Sequence, residues 1–246
     1  MKIKISYKYL LLSVFFSVNA GFAQVTVDSM FHQFKYDDSP VKNVTVLNSD
    51  TLNSISVEVE SFKVLNPGTK EEKLVAEDAL IVTPKKFSID KSGQRTVRLL
   101  LRKKAESTQE VYRVNFVPKA ESAEDDESND ESKKKNNKAF KLALLTGTGI
   151  LVFSEPSAPN PEISWETQGQ NFILKNTGNQ SLLLENFFNC ELNEEGCTNN
   201  VVTKRIYPGR DLSIARLAKP LTKAYFILYN ENKELIVKEA SGKSDW

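Results

Sequence analysis

The sequence predicts an all-β protein built from two sandwich domains, and three observations support this class. Short runs of alternating apolar and polar residues recur along most of the chain. Turn-forming residues separate these runs at intervals typical of a sandwich. The chain has 246 residues, which suits two domains of about 100–120 residues each. Heptads and long amphipathic helical patterns are absent from the sequence.

The charge balance narrows the class of partner. The net charge is +1 although charged residues make up 26% of the chain. No overall field therefore draws the protein to nucleic acid or to an anionic membrane. We expect no nucleic acid among its partners. We also expect no membrane span, because no run after the first residues is apolar enough to cross a bilayer.

The first 23 residues have the pattern of a secretory signal peptide. Three lysines within residues 1–8 precede an apolar run at 9–16, and small residues follow as far as Ala23. The alternative is an uncleaved membrane anchor, but the apolar run is shorter than the roughly 20 residues that span a bilayer. We therefore predict export, with cleavage near Ala23.

Alternating runs predict a first sandwich domain over residues 24–154. In residues 54–59, Ile55, Val57 and Val59 share one face of a strand, and polar residues occupy the other face. Further strands are predicted at 79–82, 96–101 and 110–117, with turn residues between them.

A change of composition interrupts this domain. Residues 121–131 are acidic and rich in serine, and a lysine-rich run follows at 133–138. These stretches have almost nothing apolar to bury, so a flexible loop is predicted over 119–138. Its length hints at a function, although a solvated insertion without a role is the alternative.

Alternating apolar residues resume after the loop. Phe140, Leu142 and Leu144 share one strand face, and the strand character continues to Phe153. Three prolines between 156 and 161 then predict a stiff linker. The second sandwich domain is predicted over residues 155–246, with further short apolar strands and hairpin-like turns.

The two cysteines, Cys190 and Cys197, both lie in the exported part. A close pair in an oxidising compartment predicts a disulfide that closes a small loop, contributing about 2–3 kcal/mol. A metal site is the alternative, but it needs more ligands, and the only histidine, His32, is distant in sequence. We predict no metal and no cofactor.

Residues for catalysis are lacking. His32 has no nucleophile beside it, so a surface histidine on an edge strand is favoured over a general base. The stretch 147–149 (Gly-Thr-Gly) lacks the Lys-Ser/Thr ending of a phosphate-binding loop. We therefore predict that the protein is not an enzyme.

Three passages of the first half form an ordered set of motifs. Residues 80–84 (Leu-Ile-Val-Thr-Pro) are followed at 90–99 by a glycine-containing turn and Gln-x-x-Val-Arg, and residues 110–114 read Glu-Val-Tyr-Arg-Val. In this order they resemble the strand, proline, turn and Glu-x-Tyr-Arg-Val strand of the periplasmic chaperones of the chaperone–usher pilus pathway. A variable loop and an alternating strand ending near a proline follow in the family, as they do here at 121–156.

The second half carries the resemblance further. Residues 176–179 (Asn-Thr-Gly-Asn), Cys190, Cys197 and residues 205–209 (Arg-Ile-Tyr-Pro-Gly) resemble the archaic or alternate branch of the family. Each motif alone has little specificity, whereas their order and spacing together are fairly specific. The resemblance spans nearly the whole mature chain.

The resemblance implies two immunoglobulin-like sandwiches set at an angle in an L shape. It also implies a periplasmic chaperone that binds, folds and caps pilus subunits and delivers them to an outer-membrane usher. Such a chaperone lends a strand to a client whose own sandwich lacks one, which is a form of β-strand addition. Phe140, Leu142 and Leu144 are the candidate donor residues, each worth about 1.5–3 kcal/mol before ordering costs. The alternative is that they only pack their own domain.

One feature of the family is not matched. The resemblance implies that an arginine of the first strand and a lysine of the last strand of the first domain anchor the terminal carboxylate of the pilus subunit. Residues 30–35 here lack arginine, and residues 148–150 lack lysine. Arg98 and Arg113, taken to lie on neighbouring strands, are substitute candidates because guanidinium binds carboxylate through two parallel hydrogen bonds. Salt bridges within the protein are the alternative role.

Two other functions remain open from the sequence. A secreted immunoglobulin-like module that binds a carbohydrate or another ligand would use loop-tip aromatic residues such as Trp165. A hydrolase would have to depend on His32, which the sequence supports poorly.

Overall fold

The computed structural model describes residues 23–119, 145–168, 171–190, 198–215, 223–229 and 235–240. Within these ranges the secondary structure consists of β-strands, with no helix. Apart from Ala23 and Lys119, the predicted signal peptide and flexible loop lie outside the described residues, as do Phe140, Leu142, Leu144 and Cys197. The predicted disulfide and donor residues therefore stay predictions. The strands are β1 (Ala23–Val27), β2 (Phe31–Phe34), β3 (Val41–Asn48), β4 (Ile55–Leu65), β5 (Lys73–Val75), β6 (Leu80–Thr83), β7 (Lys86–Ile89), β8 (Gln94–Leu101), β9 (Glu110–Lys119), β10 (Leu145–Thr146), β11 (Thr148–Ser154), β12 (Ile163–Gln168), β13 (Asn171–Asn176), β14 (Leu182–Cys190), β15 (Thr198–Ile206), β16 (Asp211–Ala215), β17 (Lys223–Tyr229) and β18 (Leu235–Ala240).

The first eleven strands form two sheets that enclose one core. One sheet has the order β10-β1-β3-β8-β6, and the other has the order β2-β11-β9-β4-β5, with β7 also paired to β4. Alternate residues of the strands point into the space between the sheets, as the sequence predicted for Val57 and Val59 on β4. The largest fully buried side chains of this core are Tyr112, Phe34, Phe116, Leu80, Leu99, Leu101 and Ile150.

The chain crosses from one sheet to the other at two places near the edge, between β1 and β2 and between β10 and β11. β1 pairs with β3, whereas β2, after a short connection, pairs with β11 in the opposite sheet. In the same way β10 pairs with β1, whereas β11 pairs with β9. Gly147 is the joint between β10 and β11, and a Cβ at this position would lie 2.8 Å from the Phe116 carbonyl oxygen. Only glycine allows the chain to pass this close to β9.

The remaining strands form two further sheets. One has the order β12-β13-β16 and the other β15-β14-β17-β18. A second buried cluster comprises Ile163, Phe172, Leu174, Leu182, Leu184, Ile206 and Ile214. The all-β sandwich class predicted from the sequence is confirmed.

A buried asparagine fastens the turn that follows β3. Asn48 is 3% exposed, and its Nδ2 donates hydrogen bonds to the carbonyls of Asn53 (2.9 Å), Ile89 (3.3 Å) and Asp90 (3.1 Å). Its Oδ1 accepts a hydrogen bond from the Asp50 amide at 2.9 Å. One side chain therefore supplies hydrogen bonds to backbone groups of two separate connections and ties them together.

The second sandwich repeats this arrangement at the end of β13. Asn176 is buried, and its Nδ2 donates to the carbonyls of Gln180 (2.7 Å) and Ile206 (2.8 Å). Its Oδ1 accepts from the Gly178 amide at 3.0 Å. In both sandwiches an asparagine at a strand end ties a following turn to a more distant part of the chain.

Candidate functional site

Four side chains form a row across the outer face of the β2-β11-β9-β4 sheet. The strand register places Phe62 opposite Arg113, Arg113 opposite Leu151, and Leu151 opposite Phe31. The neighbours of Arg113 along β9 face the core, so Arg113 itself points to the outer side. We call Phe62, Arg113, Leu151 and Phe31 the outer row. It presents one cation among three apolar side chains.

An apolar cluster lies beside the outer row, toward the second sandwich. Val64, Val111 and Phe153 are buried although they sit on the outer side of the sheet. Leu151 and Tyr207 pack against them. Because Tyr207 follows β15, this cluster is covered in part by the second pair of sheets.

Arg205 of β15 reaches the same face. Its guanidinium carbon lies 5.4 Å from the ring centroid of Phe31 and 4.8 Å from that of Phe153. The two rings are stacked with their centroids 6.4 Å apart. Each ring attracts the cation by about 0.5–2 kcal/mol, depending on solvent exposure. Sequence reasoning did not single out Arg205 as a functional residue, because both aromatic partners are far away along the chain.

Buried hydrogen bonds also join the two pairs of sheets. The Ser181 amide donates to Gln109 Oε1 at 3.0 Å, and Gln180 Nε2 donates to Glu155 Oε2 at 2.8 Å. All four residues are buried. A buried carboxylate that accepts hydrogen bonds is costly to remove from its partners. The contacts therefore connect the first sandwich firmly to the β13–β14 region.

β10, the first described strand after residue 119, lies at an edge of the first sandwich. β10 pairs only with β1 among the described strands, so it forms the end of its sheet. Further along, β2 pairs with β11 only from Leu151 to Ser154, which leaves Gly149 and Ile150 paired on the β9 side alone. An edge strand offers backbone N–H and C=O groups to another chain. Residues 140–144, with the candidate donor side chains, come immediately before this edge.

The structure corrects the expected relation between Arg98 and Arg113. They lie on consecutive strands, but β8 belongs to one sheet and β9 to the other. Arg98 is exposed between the buried residues Val97 and Leu99, so it points away from the core on the opposite outer face. The two guanidinium groups therefore cannot bind one carboxylate together. Only Arg113 lies in the outer row.

Trp165 was expected at a loop tip, and this expectation is wrong. It lies on β12, opposite Leu174 of β13. Its ring packs edge-on against Phe172 at a centroid distance of 6.2 Å and borders the second core. Because its indole supports the core, this residue gives the carbohydrate-binding alternative no support.

His32 lies on β2, an edge strand, as predicted, but its side chain is only 11% exposed. Its Nε2 is 4.0 Å from Asp28 Oδ1. Burial lowers the pKa of His32 below the usual 6.5, the Asp28 carboxylate raises it in part, and the Lys42 ammonium lowers it. A buried imidazole on a strand edge, with no nucleophile beside it, has a structural role.

We expect His32 to make stability depend on pH. Because the folded-state pKa is lowered, folding disfavours the protonated imidazole. The contribution of neutral His32 to the free energy of unfolding is fully present above pH 6.5, and it is lost as the pH falls from 6.5 toward the pKa of the folded state. The free energy of urea unfolding, measured between about pH 7.5 and 5, should decline more steeply for the native chain than for His32→Gln. Parallel curves would contradict this, since His32 is the sole histidine.

Within the described residues, no group of three or more His, Cys, Asp and Glu side chains is arranged to hold a metal ion. In the same ranges, no helix has the length and apolar character needed to cross a bilayer.

Comparison with known proteins identifies similar chains. No family model matches. A CS1 fimbrial subunit of Escherichia coli is 32% identical over 161 residues, which are 62% of this chain and 65% of that protein. The match thus spans just under two thirds of the relative's length.

Solved structures match over much more of the chain. The class 5 fimbriae chaperone CfaA has a TM-score of 0.65 at 20% identity, covering 89% of this chain and 100% of CfaA. A chain of the CsuC–CsuE chaperone–tip adhesion subunit complex, from archaic chaperone–usher pili of Acinetobacter baumannii, has a TM-score of 0.57 at 14% identity, covering 88% and 98%. A chain of the Salmonella enterica SafA pilin–SafB chaperone complex has a TM-score of 0.61 at 10% identity, covering 90% and 97%.

These solved structures are of a chaperone and of complexes of chaperones with pilus proteins. The similarity covers both sandwiches, with the whole length of CfaA matched. The resemblance predicted from the sequence is confirmed: the structural neighbours of this chain are fimbrial chaperones of the chaperone–usher pathway, and it shares their all-β fold.

Proposed function

We propose that this chain is a periplasmic chaperone of the archaic or alternate branch, which binds, folds and caps pilus subunits by donor-strand complementation and delivers them to an outer-membrane usher. One observation carries the proposal. The segment with Phe140, Leu142 and Leu144 leads directly into β10, which is an edge strand of the first sandwich. The signal-peptide pattern of residues 1–23 supports the periplasmic location.

The chemistry of strand lending fits this edge. A pilus protein that lacks one strand exposes unpaired backbone and part of its core, which is an aggregation hazard. A strand added from the chaperone pairs with that backbone, and its alternate side chains fill the vacant pockets. Phe140, Leu142 and Leu144 have the spacing for such pockets, because residues two apart share a strand face.

Arg113 is our candidate for the carboxylate anchor. It lies in the outer row between Phe62 and Leu151, on the face that Arg205 and Tyr207 of the second sandwich also reach. Among the described residues, no carboxylate lies within 4.0 Å of its guanidinium. A half-buried guanidinium with apolar neighbours can hold a terminal carboxylate through two parallel hydrogen bonds.

We place the domain boundary between Ser154 and Glu155. β11 ends at Ser154, and the next strand begins at Ile163. The three prolines lie between these strands. We propose that this stretch is the linker of the two immunoglobulin-like domains.

The test is co-expression with a secreted pilus subunit whose own sandwich lacks one strand. We expect the double variant Leu142→Lys/Leu144→Lys to lose the pilus subunit on affinity purification, because two charged side chains cannot enter apolar pockets. The matched control is Leu52→Lys, a similar change at a position that is 70% exposed in a turn. Far-UV circular dichroism checks that each variant stays folded. Full recovery of the pilus subunit with the folded double variant would reject the donor strand.

A further inference from the structure

We propose that Arg205 is a positioning residue through which the second sandwich holds β2 against β11. The placement of β2, the contacts of the guanidinium and the position of both beside the β11 edge support this role, whichever partner the chain binds.

β2 has few contacts of its own to keep it in place. It is four residues long and forms the end of its sheet, with β11 as its only strand partner among the described residues. On the core side Phe34 is fully buried, and His32 is largely buried. On the outer side Phe31 remains 53% exposed, and its ring contacts the stacked Phe153 ring and the Arg205 guanidinium.

Arg205 is itself held from the second sandwich. It lies opposite Leu183 in the β14–β15 pair, and its Nη1 donates to Ser181 Oγ at 3.1 Å. The Ser181 amide in turn donates to Gln109, just before β9. These hydrogen bonds fix the backbone from which the Arg205 side chain extends. Its guanidinium carbon lies 5.4 Å from the ring centroid of Phe31 on β2 and 4.8 Å from that of Phe153 on β11. A planar cation over two rings resists their separation.

The consequence concerns the β11 edge. β2 covers the backbone of β11 from Leu151 to Ser154, next to Gly149 and Ile150, which β2 leaves uncovered. When β2 loosens, the uncovered edge lengthens toward Ser154. By holding Phe31, Arg205 therefore sets how much of this edge is open to another strand.

Hydrogen exchange of the full chain, resolved by residue, tests the inference. We expect Arg205→Gln to speed amide exchange in β2 and in the β2-facing amides of β11 about tenfold, as the loss of a cation–π contact implies. Exchange in β3, β8 and β9 should stay within about twofold of the native chain. Phe31→Leu should give the same pattern, because it removes the ring that the guanidinium contacts and does not touch the hydrogen bond from Arg205 to Ser181. It also tests the inference if Arg205→Gln fails to fold.

The matched control is Arg210→Gln. Arg210 also joins the two sandwiches, through a 3.0 Å hydrogen bond from Nη2 to Asn66 Oδ1, but it lies away from β2. We expect it to leave β2 exchange unchanged. Combining Arg205→Gln with Phe31→Leu should change exchange by less than the two single effects together, because both remove the Arg205–Phe31 contact. Unchanged β2 exchange in Phe31→Leu, or equal acceleration throughout the first sandwich, would overturn the inference.

Discussion

Replacing Asn48 by aspartate is expected to lower the free energy of unfolding of the first sandwich by about 3 kcal/mol or more. Aspartate has nearly the same shape but cannot donate. The carbonyls of Asn53, Ile89 and Asp90 would lose this donor, and each buried acceptor left unsatisfied costs about 1–3 kcal/mol. The Asp90 carbonyl keeps the Gly93 amide as a donor, so the cost falls mainly on Ile89 and Asn53. A carboxylate beside three carbonyl oxygens in a site that is 3% exposed adds an electrostatic cost.

Urea unfolding followed by far-UV circular dichroism measures this effect. Tryptophan fluorescence is less suitable, because Trp165 and Trp246 both belong to the second half of the chain. The control is Asn43→Asp on the same strand, where the side chain is exposed and the change should stay within about 0.5 kcal/mol. If both variants shifted stability by the same small amount, the Asn48 hydrogen bonds would not stabilise the fold as described.

The alternation of apolar and polar residues correctly predicted strands where one face of the strand lines a single core. Residues 110–117 were predicted as a strand with Tyr112, Val114 and Phe116 on one face, and these three residues are buried in the first core. This succeeds because one side of β9 meets the opposite sheet along most of its length. The same alternation is present in β3, where Val44 and Val46 are buried, although no strand was predicted there.

β4 shows where alternation fails. The predicted strand stops at Val59, whereas β4 continues to Leu65. Beyond Val59 the core-facing positions become polar, at Ser61 and Lys63, and the apolar residues Phe62 and Val64 move to the other face. The second half of β4 packs on the outer cluster instead of the first core. A strand that changes the side on which it is buried has no continuous period-two pattern.

The candidate site depended on pairings that no local pattern encodes. Arg98 and Arg113 are close in sequence yet lie on opposite sheets, because the chain crosses the sandwich between β8 and β9. Arg205 meets Phe31 and Phe153, which come from the other sandwich. Side-chain type suggested that an arginine would bind an anion, but only the strand order decides which arginine shares a face with which neighbour.

Gly147→Val is expected to abolish capture of a pilus subunit while the two sandwiches remain folded. A Cβ at Gly147 would lie 2.8 Å from the Phe116 carbonyl oxygen and 3.2 Å from Pro118 Cδ. Neither atom can move without shifting β9, which lies in the centre of its sheet. We therefore expect β10, which lies at the end of its sheet, to be displaced instead. We expect β10 to leave β1, so that the edge strand into which residues 140–144 lead is lost.

Co-purification of the pilus subunit and the midpoint of thermal unfolding separate the two parts of this expectation. Thr146→Val is the matched control, because it places the same side chain one residue earlier at an exposed position, where no close contact forbids it. It should capture the pilus subunit as the native chain does. The midpoint of Gly147→Val should fall only slightly, since the pairing lost is the two-residue contact between β10 and β1. Undiminished capture by Gly147→Val would show that the client is held without the β10 geometry, and the lent strand would then have to come from another edge.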